Sequence, residues 1–296
     1  MPFTKTLSYT LPGTERTIPY TCGADIWGLA AEFILERFPK HNVAIITDTN
    51  VAERYQNRLE TLFSEHPRFS GVFVFPAGEA SKSRAIKDDL EDRLFAAKLG
   101  RDTLVVAVGG GVVGDLAGYL AATFHRGVPL VHLPTTLLAQ VDSCIGGKTG
   151  INHSAGKNLI GAFYQPEAIF ADITTLETLS DIEFYNGMAE VIKYAASLDP
   201  DLWTYLEANE AAIKLRSRAV LSHIIARSAQ LKMDIVCADE KEAGVRAILN
   251  FGHTSGHAFE ALSTYQIAHG FAVASGMTIT IRPTSHMQIR PICIFL

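Results

Sequence analysis

The apolar run Leu104–Val108 leads directly into the glycine-rich segment Gly109–Asp115, and this junction constrains the fold more than any other feature. A short continuous apolar run of this kind is typical of a strand buried on both faces. The stretch Leu116–Phe124 predicts an amphipathic helix after the glycines. Glycines at a strand-to-helix turn let a ligand approach the backbone, and the N-terminus of a helix favours phosphate. Because no Gly-Lys-Ser/Thr follows, a Walker loop is excluded, and the segment predicts a dinucleotide phosphate site. The alternative is a tight turn that needs glycine only for its backbone angles.

Further β-branched runs alternate with helical patterns in the first half of the chain. Three of them predict strands, at Val43–Thr47, Val72–Phe75 and Leu130–Leu133. Between two of the strands, Ser83–Lys98 carries apolar residues at helical spacing. Continuous apolar strands that alternate with helices predict a parallel, Rossmann-like α/β sheet covered on both faces.

The pattern changes near Asp172, beyond which helices dominate. The predicted helices are Ile182–Ser197, Leu202–Asn209, Leu215–Cys237 and Ala243–Ser263. We therefore predict an α/β nucleotide-binding domain over residues 1–172 and a mostly helical domain over residues 173–277. Residues 278–296 fit neither pattern and are interpreted as a separate tail.

Composition narrows the class of protein. The net charge of −5, with lysines and arginines scattered along the chain, argues against a nucleic-acid partner, which demands clustered basic residues. The four cysteines form no Cys-x-x-Cys pair, which favours a reducing compartment. No apolar stretch predicts a membrane span or a signal peptide, so the expected location is the cytoplasm.

Polar residues after the predicted strands and on the later helices suggest ligands. Asp48 and the segment Gly78–Lys82 follow strands, where they can reach a nucleotide, although each can equally be a solvated loop charge. His253 and His257 lie four residues apart, so they share a helix face. Together with His269, and with Glu190 on an apolar helix where an unpaired carboxylate is costly, they predict a divalent metal site. A core histidine with a satisfied hydrogen bond is the alternative for any one of them.

Cationic side chains are also expected near the predicted nucleotide and metal sites. Some of them lie on Gly146–Gly150 and Gly156–Asn158, two segments that are predicted to be loops. The candidates are Arg126, Lys148, Lys157, Lys193, Lys232 and Arg246. Anion-binding loops, a nucleotide and a metal together suggest chemistry on a phosphorylated, hydroxylated small molecule.

The ordered motifs resemble the 3-dehydroquinate synthase family from Asp48 through Gly276. The motifs that carry this resemblance are Gly109–Gly118, Phe124–Val128, Pro134–Ser143, Gly146–Gly150, Gly156–Gly161, Ala189–Lys193 and Asn250–Thr254. The resemblance implies that the enzyme is a lyase which uses NAD and a divalent metal, zinc or alternatively cobalt. It would convert 3-deoxy-D-arabino-heptulosonate 7-phosphate to 3-dehydroquinate and phosphate, in the shikimate pathway to aromatic amino acids. The resemblance also implies a homodimer.

The family pattern also assigns residues. The metal ligands it implies are Glu190, His253 and His269. The implied NAD contacts are Asp48, Gly78, Glu79, Lys82, Gly111, Val112, Val113, Gly114, Asp115, Thr135, Thr136, Lys148, Lys157, Thr175, Leu176, Glu177 and Thr178. The implied substrate and catalytic contacts are Arg126, Asp142, Lys148, Asn158, Lys193, Lys232, Arg246, Asn250 and His257.

Two departures from the family pattern stand out. Phe271 follows His269-Gly270 where the family has a glutamate, which bears on hydrogen bonding around a metal ligand. The resemblance is expected to stop after about Met277, and Thr278–Leu296 is interpreted as a truncated or frameshifted end. Three other functions remain open: a cyclase acting on sedoheptulose 7-phosphate, an alcohol dehydrogenase of the glycerol dehydrogenase kind, and an inactive product that only binds nucleotide.

Overall fold

A seven-stranded sheet forms the first half of the protein in a computed structural model, which describes residues 4–11, 16–242, 244–263 and 267–280. Its order is β1-β2-β9-β6-β5-β3-β4, and every neighbouring pair is parallel except β1 and β2. The strands are β1 (Thr4–Thr10), β2 (Thr17–Gly23), β3 (Asn42–Asp48), β4 (Phe69–Phe75), β5 (Thr103–Gly109), β6 (Leu130–Pro134) and β9 (Ala168–Asp172). The predicted parallel α/β sheet is confirmed.

Alternation along the central strands divides the core between the two faces of the sheet. On β3, Ala44 and Ile46 belong to one buried cluster, while Val43 and Ile45 belong to the cluster on the opposite face. In the part of the chain that the structure describes, these faces are covered by α1 (Trp27–Arg37), α2 (Thr49–Phe63), α3 (Arg84–Ala96) and α4 (Gly111–Thr123). Because both faces are covered, every residue of β5 is buried, as the continuous apolar run predicts.

Within the described ranges, six helices follow the sheet, as the change of pattern near Asp172 predicts. They are α5 (Asp181–Leu198), α6 (Pro200–Ala208), α7 (Glu210–Lys214), α8 (Arg218–Ala238), α9 (His253–Leu262) and α10 (His269–Thr280). Apolar residues of α5, α6, α7, α8 and α10 share one cluster with Tyr9 of the edge strand β1 and Tyr20 of its neighbour β2. Among the helices of the described ranges, none has the length and apolar character needed to cross a membrane.

Two helix predictions are wrong in their extent. The stretch predicted as one helix from Ala243 is a 3-10 turn, Val245–Asn250, followed by α9. The break is at Gly252, whose φ of +79° is non-helical and whose Cα packs so closely on α10 that a side chain would meet Met277. The helix predicted from Leu215 begins instead at Arg218, because Arg216 has a φ of +53°.

The two segments predicted as loops form a hairpin. Strands β7 (Lys148–His153) and β8 (Gly156–Phe163) pair antiparallel as a separate two-stranded sheet that packs on α4. The glycines belong to this close pairing: a Cβ at Gly161 would lie 2.0 Å from the carbonyl oxygen of Thr149. Lys148, Lys157 and Asn158 are therefore held on strands.

Candidate active site and metal centre

The glycine-rich turn opens into a cleft at the carboxyl ends of the sheet strands. Helix α4 begins at Gly111, earlier than predicted, so Gly109 ends β5, Gly110 is the N-cap residue, and Gly111 and Gly114 lie in the first turn of the helix. A Cβ at Gly109 would lie 2.3 Å from the Val113 side chain, and one at Gly110 would lie 3.0 Å from that of Thr136. Small residues therefore keep open the amide groups of a helix N-terminus, which suits a phosphate.

The cleft has a volume of about 1040 Å³ and collects most of the residues implied as NAD contacts. Those that line it are Asp48, Gly78, Glu79, Lys82, Gly111, Val112, Asp115, Thr135, Thr136, Lys157, Thr175 and Thr178. Residues from five strand ends and from the hairpin thus surround one space large enough for a cofactor and a small substrate.

Five residues implied as NAD contacts do not belong to this lining. Val113 and Leu176 are fully buried in apolar clusters, and Gly114 faces His132 inside the domain. Glu177 forms an ion pair with Arg218, and Lys148 forms one with Glu242. These five positions match the family motif in sequence, but they are not part of the described cleft lining.

Lys82 is the centre of a buried polar cluster on the cleft wall. Its Nζ donates to Oδ2 of Asp115 at 2.6 Å, contacts Oδ1 of Asn158 and lies 3.6 Å from Oε1 of Glu79. Burial opposes the charged ammonium, but the carboxylates of Asp115 and Glu79 outweigh it and raise the pKa of Lys82. This side chain is therefore a fixed cation beside the glycine turn.

Asp48 has a second role besides facing the cleft. Its Oδ1 accepts a hydrogen bond of 2.9 Å from the amide of Val51 and so caps α2. Burial raises the pKa of this carboxyl, although the cap hydrogen bonds act in the opposite direction.

Glu190, His253 and His269 converge from α5, α9 and α10, and their ligand atoms lie within 4.8 Å of one another. Oε1 of Glu190 is 3.6 Å from Nε2 of His253 and 3.4 Å from Nε2 of His269. Glu190 is fully buried, and Oε1 has no hydrogen-bond partner among the described residues. A buried carboxylate oxygen that faces two imidazole nitrogens fits a divalent metal such as zinc.

The charges around this cluster favour an ionised carboxylate. Burial opposes ionisation of Glu190, but Lys193, which is in direct contact with it, and His269 outweigh burial and lower its pKa to about 2. Burial lowers the pKa of His253 to about 4. Burial acts in the same direction on His269, but Glu190 and Glu260 outweigh it and raise its pKa to about 9.

Asp142 lines the cleft and is held by two side chains that lie behind it. Lys232 donates to both its backbone oxygen and Oδ1, at 2.7 Å each, and the hydroxyl of Tyr194 contacts the same Oδ1. Burial opposes the charged carboxylate, but Lys232 and Lys193 hold the pKa of Asp142 well below its usual range. The ion pairs Glu190–Lys193 and Asp142–Lys232 thus lie side by side next to the cleft.

Of the other residues implied as substrate contacts, some line the cleft and some do not. Asn158 and His257 line the cleft. Asn250 is exposed and donates to Glu242, the partner of Lys148, and Arg246 is buried, where it donates to the carbonyl oxygen of Glu240. Arg126 is exposed at the end of a 3-10 turn and does not line the described cleft.

Sequence reasoning missed Glu260, which lines the cleft and is only 2% exposed. It lies three residues after His257 and seven after His253, on the same face of α9. The helical spacing from the two histidines could have identified Glu260 in the sequence, but its role depends on its partners on α10 and on the hairpin. Asn186 was missed as well: its Oδ1 accepts a 2.6 Å hydrogen bond from the amide of Gly270, next to His269.

Two family models match the chain one after the other. The model described as 3-dehydroquinate synthase N-terminal matches residues 72–186, and the one described as 3-dehydroquinate synthase C-terminal matches residues 187–291. The second match continues beyond Met277, where the resemblance was expected to stop, and α10 continues to Thr280. The remainder of the expected tail, residues 281–296, lies outside the described residues.

The chain is similar to named proteins over nearly its whole length. A protein named 3-dehydroquinate synthase from Acidithiobacillus ferrooxidans is 46% identical over 266 residues, which are 90% of this chain and 73% of the relative. One of the same name from Geobacter metallireducens is 46% identical over 281 residues, covering 94% of this chain and 75% of the relative.

Solved structures show the same architecture. A 2-deoxy-scyllo-inosose synthase complexed with carbaglucose-6-phosphate, NAD+ and Co2+ superposes with a TM-score of 0.82 at 27% identity, covering 95% of this chain and 77% of that one. The 2-epi-5-epi-valiolone synthase of Streptomyces hygroscopicus, with NAD+ and Zn2+ bound, has a TM-score of 0.82 at 26% identity, covering 92% and 75%. Glycerol dehydrogenase of Schizosaccharomyces pombe, at 16% identity and a TM-score of 0.65 over 93% and 73%, shows a shared fold alone.

Proposed function

The chain belongs to the 3-dehydroquinate synthase family, and we propose that its cleft converts 3-deoxy-D-arabino-heptulosonate 7-phosphate to 3-dehydroquinate and phosphate. The reaction uses NAD and a divalent metal, and it belongs to the shikimate pathway of aromatic amino acid biosynthesis. The observation that carries this proposal is the convergence of Glu190, His253 and His269 beside a cleft that begins at a glycine-rich helix N-terminus.

The residues of the site divide into those that would bind the metal or NAD and those that would bind the substrate. Glu190, His253 and His269 would bind the metal, while the α4 N-terminus, Lys82 and the strand ends would bind NAD. When bound, the metal polarises a substrate hydroxyl and NAD stores and returns a hydride. The buried Oε1 of Glu190 supports the metal, and the open first turn of α4 supports the cofactor.

The cations near the cleft suit the carboxylate and the phosphate of the substrate. Lys193 and Lys232 are nearly fully buried, and each is paired with a carboxylate, so their positions are fixed before substrate arrives. Asp142 orients Lys232 through two hydrogen bonds. His257, whose side chain is 61% exposed on the cleft, can exchange protons with substrate and solvent.

Three broader proposals accompany this function. The division into an α/β domain of residues 1–172 and a helical domain that begins at residue 173 follows from the sequence pattern. A homodimer follows from the family resemblance, and light scattering after size-exclusion chromatography tests it. A cytoplasmic location follows from the isolated cysteines, three of which are free thiols within the described ranges.

Phosphate release from 3-deoxy-D-arabino-heptulosonate 7-phosphate tests the function directly. With added NAD and Zn2+, the wild-type chain should release phosphate and form 3-dehydroquinate without net production of NADH. Glu190→Gln should release phosphate at least about 100-fold more slowly, because it removes a metal ligand. The matched control is Glu91→Gln, which removes a lysine-paired glutamate on α3 and should leave the rate unchanged. A folded wild-type chain that binds NAD but releases no phosphate would refute the proposal.

A further inference from the structure

Glu260 lies between the metal cluster and the hairpin without belonging to either. Its side chain is 3% exposed on α9, and Oε1 is 3.5 Å from Nδ1 of His269. The same oxygen accepts a 3.1 Å hydrogen bond from Nζ of Lys157 on β8. Two consecutive helices, α9 and α10, and the sequence-distant strand β8 therefore meet at one carboxylate oxygen.

The two ring nitrogens of His269 face two different carboxylates. Nε2 points toward Glu190, at 3.4 Å, and Nδ1 points toward Glu260. An imidazole that binds a metal through Nε2 must carry its proton on Nδ1, and a carboxylate is a strong acceptor for that proton. Glu260 is thus located where it selects the metal-binding tautomer of His269 and fixes the plane of its ring.

Lys157 gives Glu260 a partner that suits this role. A buried carboxylate with no cation would be costly, and it would also compete for the metal. The ammonium of Lys157 neutralises Glu260 from the hairpin side, so the carboxylate can accept from His269 without ligating the ion. The same contact links the helix that carries two histidines to the hairpin that borders the cofactor cleft.

We propose that Glu260 is a positioning residue of the metal centre, which acts through His269 and is held in place by Lys157. This inference rests on the proposed function, because it takes Glu190, His253 and His269 as the metal ligands. Replacing a partner of this kind commonly weakens metal binding by about 10- to 100-fold. The alternative is that Glu260 is itself a ligand of a second ion, with His257 and His269, whose ligand atoms also lie within 4.8 Å.

The test is Zn2+ binding to the full chain, measured by competition with a chromophoric chelator. Wild type should bind one ion per chain. Glu260→Gln should bind it about 10-fold more weakly, and Glu260→Leu up to about 100-fold more weakly, since leucine removes both the charge and the acceptor. Glu91→Gln is the matched control and should bind Zn2+ as wild type does. The visible spectrum of bound Co2+ should also change in the Glu260 variants, because the ring of His269 is no longer fixed.

Two results would overturn the inference. The first is Zn2+ affinity within about threefold of wild type in both Glu260 variants, together with an unchanged Co2+ spectrum. The second is binding of two Zn2+ ions by wild type and one by the variants, which would make Glu260 a ligand. If wild type releases phosphate and either of these results is obtained, only this inference fails. If wild type neither binds Zn2+ nor releases phosphate, the proposed function fails.

A measurement on wild type alone covers the case of variants that do not fold. In the zinc-loaded protein, nitrogen NMR should show His269 protonated on Nδ1 and without a proton on Nε2. The reverse tautomer would overturn the inference.

Discussion

Burial of His132 should make the stability of this protein depend on pH in a window that can be calculated. The residue lies on β6, is 5% exposed, and packs beneath α4, where a Cβ on Gly114 would be 3.5 Å from Cε1 of the ring. Burial lowers its pKa from 6.5 to about 4. The folded chain therefore keeps His132 neutral at pH values where the unfolded chain protonates it.

The direction follows from linkage. The stabilising contribution is fully present above pH 6.5 and is lost as the pH falls from 6.5 toward 4, because only the unfolded chain takes up the proton there. At pH 5 the loss from this one group is about 2 kcal/mol, and below pH 4 it reaches about 3 kcal/mol, at 1.36 kcal/mol for each unit of pKa.

Urea unfolding at pH 8 and pH 5, with chelator present, measures this contribution. The control is His132→Gln, which is neutral at both pH values. Between pH 8 and pH 5 wild type should lose about 2 kcal/mol more than the variant, because every other titrating group is common to both. Proton NMR of the Cε1–H resonance gives the pKa of His132 directly. Equal losses in the two proteins, or an NMR pKa near 6.5, would refute the reasoning.

Three further predictions concern the cleft and the helices that support it. Lys82→Met should weaken NAD binding by about 10-fold or more, measured by calorimetry, because it removes a buried cation beside the α4 N-terminus, whereas an unchanged affinity would exclude Lys82 as a contact. Gly276→Ala should lower the free energy of unfolding, measured with urea, by about 3 kcal/mol, because its Cβ would lie 2.0 Å from the carbonyl oxygen of Gly252. The control is Gly28→Ala, whose Cβ would meet no atom within 4 Å and which should not destabilise the protein. Removing the metal with chelator should abolish phosphate release and lower the melting temperature, and Zn2+ should restore both; activity that persists without metal would contradict the assignment of Glu190.

The central sheet could be predicted closely because its strands are governed by local patterns. The continuous apolar runs at Val43–Thr47 and Leu104–Val108 each correspond to a strand that extends only a residue beyond the run at either end. Such β-branched apolar runs are typical of strands that are buried on both faces of a parallel sheet. The edge strand β1 and its neighbour β2 carry a weaker pattern, because their core contacts come partly from α8, far away in the sequence.

The errors occur where packing between elements overrides a local pattern. Gly146–Gly150 and Gly156–Asn158 look like loops because of their glycines, yet those glycines allow two consecutive strands to approach closely. The helix predicted from Ala243 is broken at Gly252, because α10 packs against that position. The residue types of each segment do not by themselves show which partner it packs against.

By itself, the sequence determined the kinds of chemical group available: a glycine turn after a buried strand, one glutamate on an apolar helix, and histidines at helical spacing. Those depend on short-range periodicity and on residue type. Only the tertiary structure decided which of them meet: that Glu190 faces both His253 and His269, that Lys148 turns away to Glu242, and that Glu260 lies against His269. The physical reason is that each of these contacts joins two different helices, strands or loops, and the packing of these elements against one another fixes the distances.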